Sequence, residues 1–227
     1  MERKIVITAD GSSTIHLPDW DEQYHSKHGA IQEAKHVFIK HGFHHYLTLY
    51  PFEKYPVFIL EIGFGTGLNA FITLLEAEKR HIYVNYVSVE AYPVEMDEIN
   101  QLNYPTTLEA IEKAHIFKHL HELDWENKHQ LTLSFCLTKQ KKCFSEIKDL
   151  NTFNIIYFDA FGARVQPELW TESIFQKMYD ALLPNGILVT YAAKGSVRRA
   201  MQTVGFKVEK LPGPPGKREM LRACKEA

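Results

Sequence analysis

A chain of 227 residues with 45% hydrophobic and 24% charged residues is sized for one α/β domain with a substantial core and a single cofactor site, preceded by a short N-terminal appendage. No apolar run approaches the roughly 18 residues of a membrane span, and the charged opening Met1-Glu2-Arg3-Lys4 is followed by too few apolar residues for a secretory signal, so a soluble, cytoplasmic protein is expected. A net charge of -2 argues against indiscriminate nucleic-acid binding, while Cys136, Cys143 and Cys224 without CxxC spacing, and scattered histidines, argue against a metal site or a disulfide framework.

In chain order, residues 1–55 read as a lead-in packed on the core and 56–227 as the cofactor-binding domain. The core opens with Val57-Phe58-Ile59-Leu60-Glu61-Ile62, a continuous apolar run of the kind buried on both faces, which runs into Gly63-Phe64-Gly65-Thr66-Gly67. Beyond the glycines, Leu68, Phe71, Ile72 and Leu75 share one helical face, so the unit is strand, tight loop, helix. The pattern then predicts a strand over 83–90, helices over 94–103 and around 108–115, a strand over 131–137 and a helix near 144–150. Residues 153–159 form a second apolar run that ends in Asp159, a carboxylate at the C-terminal edge of a buried strand. A helix over 167–183 with Pro167 in its first turn, a turn at Pro184-Asn185-Gly186 and a strand over 187–191 follow.

Repeated strand–helix units imply a parallel sheet with right-handed crossovers. Residues 206–211 and 219–223 are strand-like, and the connection Pro212-Gly213-Pro214-Pro215-Gly216 is too short for a helical crossover, so the two pair as an antiparallel hairpin. A mainly parallel sheet ending in such a hairpin resembles the Rossmann-like α/β fold of class I methyltransferases, whereas many nicotinamide-binding domains stay parallel throughout.

Three features carry chemistry. The loop from Gly63 to Gly67, with Asn69 in the first helical turn, lets backbone approach a ligand that a Cβ would obstruct. Its GxGxG spacing differs from the GxGxxG of dinucleotide sites, and Glu61 before it would repel a phosphate but suits a sulfonium or ammonium group, which favours S-adenosylmethionine. Glu90, at the end of the next strand, can accept hydrogen bonds from both ribose hydroxyls of an adenosine ligand. Asp159, followed by Ala160-Phe161-Gly162, is the candidate reacting site: a carboxylate there can orient the N–H groups of an amine or remove a proton, and Phe161 can stack on a base or shield the methyl group from water. The alternative for Asp159 is a strand-end aspartate with only a structural part. Between Lys194 and Lys225 lie Lys194, Arg198, Arg199, Lys207, Lys210, Lys217, Arg218, Arg222 and Lys225 against only Glu209 and Glu219, either a local basic face or an ordinary solvated surface.

Together these stretches resemble a specific family, the methyltransferase domain of MnmC, which acts in 5-methylaminomethyl-2-thiouridine formation in tRNA. The resemblance rests on Gly63-Phe64-Gly65-Thr66-Gly67-Leu68-Asn69, Phe158-Asp159-Ala160-Phe161, Pro167-Glu168-Leu169-Trp170-Thr171, Val197-Arg198-Arg199 and Gly216-Lys217-Arg218-Glu219-Met220-Leu221, with a lead-in Tyr24-His25-Ser26, His28-Gly29-Ala30, Glu33 and His36-Val37-Phe38, and it covers nearly the whole chain. It implies methylation of the exocyclic amine of 5-aminomethyl-2-thiouridine at the wobble position, with S-adenosylmethionine held by Glu61, Gly63, Phe64, Gly65, Thr66, Gly67, Asn69 and Glu90. Asp159 and Phe161 would lie beside the transferred methyl and the flipped-out base, while Tyr24, Lys194, Arg198, Arg199, Lys217 and Arg218 would meet the tRNA anticodon stem-loop. Enzymes that make the aminomethyl uridine precursor are the implied functional partners; the alternative acceptor is a small amine, methylated or aminopropylated. One departure stands out: around 137–142, where the family often has an acid for the adenine amino group, no Asp or Glu occurs until Glu146, which leaves that group to a backbone carbonyl, to Thr138 or to water.

Overall fold

The computed structural model describes residues 2–51 and 56–226. The lead-in forms a small antiparallel sheet of β1 (Lys4–Ile7), β2 (Ser13–Leu17) and β3 (Glu22–Gln23), then one helical run: α1 (Ala30–Ala34), a π-wound stretch Lys35–His44, and α2 (His45–Leu49). Ala30, Ala34, Val37, Phe38, Phe43 and Tyr46 on this run join the apolar cluster of the main sheet, so the lead-in shares its core. The expected boundary after residue 55 lies outside the described residues.

The main sheet has central strands that are mostly apolar on both faces and edge strands that are largely polar. Its members are β4 (Val57–Ile62), β5 (Val84–Glu90), β6 (Lys128–Thr132), β7 (Phe135–Lys141), β8 (Phe153–Phe158), β9 (Leu182–Thr190), β10 (Lys207–Pro212) and β11 (Glu219–Cys224), in the order β10-β11-β9-β8-β4-β5-β7-β6. From β9 through β8, β4 and β5 to β7 all neighbours are parallel, while β11 runs antiparallel to both β9 and β10. Alternation sorts the side chains by layer: Ile59, Ile155, Tyr157 and Val189 face the lead-in helices and α3 (Leu68–Arg80), whereas Leu60, Ile62, Ile156 and Phe158 face the layer built later in the chain. The short α4 (Met96–Ile99) and α5 (Tyr104–Thr107), with α6 (Ala114–Glu122), complete the first side, and α7 (Glu172–Ala181) and α8 (Gly195–Thr203) the second.

The hairpin and the parallel centre are as expected, and several elements differ. The strand expected over 131–137 is two strands, β6 and β7, turning at Leu133, which is 96% exposed. The alternation of Leu131, Leu133 and Phe135 with Thr132 and Ser134 hides a turn whose tip happens to be leucine. The helix expected over 94–103 shrinks to the single turn of α4, begun by a capping box between Glu95 and Glu98 and ended at Asn100, and Asn103 beyond it is spent on the lead-in: its Oδ1 accepts from the Ser13 N–H at 2.8 Å. The helix expected around 108–115 lies further on as α6, where Phe117 and Leu120 form the buried stripe. Residues 144–150 give only a 3₁₀ turn, Phe144–Glu146. The helix expected over 167–183 is interrupted at extended Thr171, so that Trp170 Nε1 can donate to the Phe161 carbonyl at 2.7 Å. The turn at 184–186 is absorbed into β9 as an irregularity in its pairing with β8, and α8 is an additional helix.

Candidate active site

The C-terminal ends of β4, β5 and β8 open onto a cleft of about 1540 Å³, closed from the opposite side by residues 20–27 and Glu33 of the lead-in. Open α/β sheets bind ligands at this edge, where adjacent strands are connected on opposite faces.

The glycine loop forms one wall. At Gly63 the backbone is left-handed, with φ of +93°, and a Cβ would lie 2.9 Å from the Asp159 carbonyl oxygen, so only glycine joins β4 to α3 this close to β8. Gly65, also left-handed at +49°, leaves room for Tyr24, whose Cδ1 would be 3.1 Å from an added Cβ. Phe64, Thr66 and Asn69 line the same wall. Glu90 stands opposite: its Oε2 accepts from the Gly65 N–H at 3.1 Å and its Oε1 from the Tyr92 N–H at 2.9 Å. A carboxylate has about four lone-pair positions, so Glu90 is oriented by backbone and still has acceptor capacity facing the cleft.

Asp159 lies at the floor, immediately after β8. Asn69 Nδ2 donates to its Oδ2 at 2.8 Å. Burial pushes its pKa from the ordinary 3.8 up to about 7, and the nearby Glu33 charge adds to this, against the Asn69 hydrogen bond and the Lys217 charge. Phe161 stands over the floor, edge-on to Trp20 at 5.7 Å and to Tyr24 at 4.9 Å between ring centroids. The loop carrying Phe161 is fixed at two carbonyls: Tyr191 Oη donates to Ala160 O at 2.8 Å, and Trp170 Nε1 to Phe161 O. Burial of Tyr24 pushes its hydroxyl up to about 12, so it is neutral at physiological pH.

Three expectations change with the side chains in place. Glu61 does not line the cleft. It is fully buried on β4, where Ser88 Oγ donates to its Oε2 at 2.7 Å, and burial holds its pKa well above the ordinary range, with the Asp159 charge adding to the shift. Its carboxyl is packed beneath the loop, away from the cleft lining. Gly67 is likewise set back, capping α3 against Leu120 and His121. Lys217, expected on a basic outer face, turns inward: its Nζ is 2.6 Å from Glu33 Oε1 and 3.8 Å from the Tyr191 ring centroid. Lys194, Arg198, Arg199 and Arg218 lie outside the cleft and close no salt bridge among the described residues, whereas Lys207, Lys210 and Arg222 are paired with Glu226, Glu219 and Glu209.

The sequence reading missed Trp20, Tyr191 and the segment Cys143, Phe144 and Ser145, all of which line the cleft. Tyr191 follows β9 directly, as Asp159 follows β8, and that shared strand-end position was the available signal; Trp20 offered none, since it arrives from the lead-in. Thr138, considered for the adenine amino group, is paired mid-strand with Val87 and Lys128 and does not line the cleft.

The cleft carries Asp21, Glu22, Glu33, Glu90, Glu95, Glu98, Asp159 and Glu168 against Arg3, Lys27, Lys141 and Lys217, a balance that suits a cationic ligand and opposes a polyphosphate. No cluster of metal-ligating side chains occurs among the described residues, and no helix among them is long and apolar enough to cross a membrane. Residues 96–226 match a family described as S-adenosyl-L-methionine-dependent methyltransferases.

The chain belongs to that family. This methyltransferase is similar to MnmC2 from Aquifex aeolicus, with TM-score 0.77 and 24% identity over 100% of this chain and 71% of the other. It is also similar to the spermidine synthase from Thermotoga maritima, with TM-score 0.52 and 16% identity over 98% and 72% of the two chains. At these identities the likeness is one of fold.

The residues present fit the cofactor. Backbone at Gly63 and Gly65 lines the cleft, an oriented carboxylate at Glu90 matches a ribose diol, and an acidic floor matches a sulfonium.

Proposed function

We propose that this methyltransferase transfers the methyl group of S-adenosylmethionine to the exocyclic amine of 5-aminomethyl-2-thiouridine at the tRNA wobble position. The observation that carries the reading is the floor of the cleft: a carboxylate whose pKa is raised to about 7, held by Asn69 and walled by Phe161, Tyr24 and Trp20. When bound, the cofactor supplies an electrophilic methyl on sulfur. Nitrogen attacks only with a free lone pair, and an acid poised near neutrality accepts the amine's proton without becoming too weak a base. Asn69 fixes the carboxylate's direction, and the three aromatic rings exclude water from the transfer path while offering a flipped base a surface to stack on. On this reading Gly63, Phe64, Gly65, Thr66 and Asn69 with Glu90 hold the cofactor, and Lys194, Arg198, Arg199 and Arg218 meet phosphates of the anticodon stem-loop from outside the cleft. The protein then works in the cytoplasm, after the enzymes that build the aminomethyl uridine.

The fold likeness to Aquifex MnmC2 supports this choice. A second reading, a small free amine as acceptor, is favoured by the excess of carboxylates in the cleft. Incubation with undermethylated tRNA and labelled cofactor, followed by digestion to nucleosides, separates them: label in the wobble uridine is the expected result, and label confined to small amines refutes the tRNA assignment.

A further inference from the structure

The acceptor end of the cleft has a charge arrangement that the family's glycine loop and strand-end acids do not explain. Lys217 reaches it from the connection between β10 and β11, Glu33 from α1, and Asp159 from β8. Glu33 is only 6% exposed and doubly held: Oε1 meets Lys217 Nζ at 2.6 Å, and Oε2 accepts from the Ser26 N–H at 2.8 Å. The Tyr191 ring sits under the Lys217 ammonium at 3.8 Å, and the Tyr191 hydroxyl is tied to the carbonyl of Ala160, the residue after Asp159. The lysine is therefore fixed from two sides, and its location beside the floor is set by the fold rather than by solvent.

We propose that Glu33 and Lys217 are a positioning pair for Asp159: Glu33 pins the Lys217 ammonium at the acceptor end, so two carboxylates share one lysine and the pocket keeps a single unbalanced negative charge that an incoming protonated amine neutralises. The inference rests on the amine-acceptor reading above. The ammonium R–NH₃⁺ gives one proton to the Asp159 carboxylate, leaving R–NH₂ with its lone pair and a neutral carboxylic acid, so charge and protons balance within the pocket. Removing Lys217 leaves two adjacent carboxylates, which strengthens proton binding at Asp159; removing the Glu33 charge does the opposite. The groups facing Asp159 are Glu61 from β4, Asn69 from α3, Tyr86 from β5, Tyr191 after β9, Glu33 and Lys217. Burial holds the Glu61 carboxyl well above its ordinary range; at neutral pH Tyr86 and Tyr191, raised further by burial, are uncharged, and His25 in the same wall is neutral because burial lowers it to about 4. Glu33 and Lys217 form the ion pair whose charges bear on the floor, Glu33 raising and Lys217 lowering the Asp159 pKa.

The test follows the Asp159 carboxyl carbon by NMR titration in the full chain, as wild type, Lys217→Met, Lys217→Arg, Glu33→Gln and the Glu33→Gln/Lys217→Met double variant. The expected midpoint rises by about one pH unit in Lys217→Met, falls by about one in Glu33→Gln, and returns toward wild type in the double variant and in Lys217→Arg. The acid limb of kcat/KM for methylation of undermethylated tRNA should move with it. A midpoint that stays fixed while melting temperatures fall overturns the proposal and reduces the pair to a tie between hairpin and helix. Should Lys217→Met not fold, the midpoints of Glu33→Gln and Lys217→Arg decide between the same two outcomes. If the wild type methylates no tRNA, the substrate reading fails, yet the carboxyl titration still decides the role of the pair.

Discussion

Replacing Asp159 by Asn should stabilise the protein while disabling it. Burial, with Glu33 nearby, raises the Asp159 pKa from 3.8 to about 7. A carboxyl with a raised folded pKa favours the folded state when protonated, so its ionisation weakens folding as pH climbs from the unfolded value through the folded one, and the deficit is complete above pH 7. Roughly three pH units at ~1.4 kcal/mol each set a ceiling of about 4 kcal/mol, and because Asp159 keeps part of its surface open to the cleft, a gain of about 1–2 kcal/mol is the reasonable expectation. The amide keeps the size of the side chain and, turned with its oxygen toward Asn69, can still accept the Nδ2 hydrogen bond. Urea unfolding of wild type and Asp159→Asn at pH 8.5 and pH 5.5 measures the effect: the variant should be more stable at pH 8.5, and its advantage should shrink by about half at pH 5.5. Methyl transfer should fall by about 10²-fold or more, because the amide cannot accept the amine's proton. A variant that is less stable by the same amount at both pH values would refute the reasoning, since Asp159 would then be a structural acceptor with an ordinary ionisation.

Glu90→Gln should weaken cofactor binding about 10- to 100-fold, the loss of charge-assisted hydrogen bonds to a diol, as read by calorimetry; an unchanged Kd would show that the diol is held elsewhere. In Gly63→Ala the new Cβ meets a backbone oxygen at 2.9 Å from a left-handed residue, so the variant should lose about 1–3 kcal/mol in a denaturant melt and bind cofactor weakly, whereas a neutral outcome would mean that β4 and β8 can separate at this point. Arg198→Gln combined with Arg199→Gln should make the log–log salt dependence of tRNA binding shallower by about two while leaving cofactor affinity alone; an unaltered slope would move the RNA surface away from α8.

Along the chain, the sequence determined the parts where local pattern and tertiary role coincide. Val57–Ile62 and Phe153–Phe158 are apolar on both faces, apart from Glu61 and Asn154, because they lie in the middle of a parallel sheet, and that demand is written along both strands. The glycines that follow the first run, the acid that ends the second, and Glu90 between them mark one edge of the sheet without any knowledge of what packs there. The C-terminal hairpin was equally legible, since a short Pro/Gly connection permits only antiparallel pairing.

Only the tertiary structure decided which side of the surface a charged residue serves. Lys217 belongs by sequence to a run of basic residues, and nothing in its neighbours distinguishes it from Arg218, yet one reaches Glu33 inside the cleft and the other stays in solvent. Glu61 reads as a ligand-facing acid beside its glycines, but the period of the strand turns it under the loop toward Ser88. Trp20, Tyr24 and Glu33 become part of the site because the lead-in folds back over the sheet edge, a contact between segments more than a hundred residues from Asp159. Local pattern reports whether a position is buried; the partner that burial supplies, and so the charge and proton affinity of the group, is fixed only when distant segments meet.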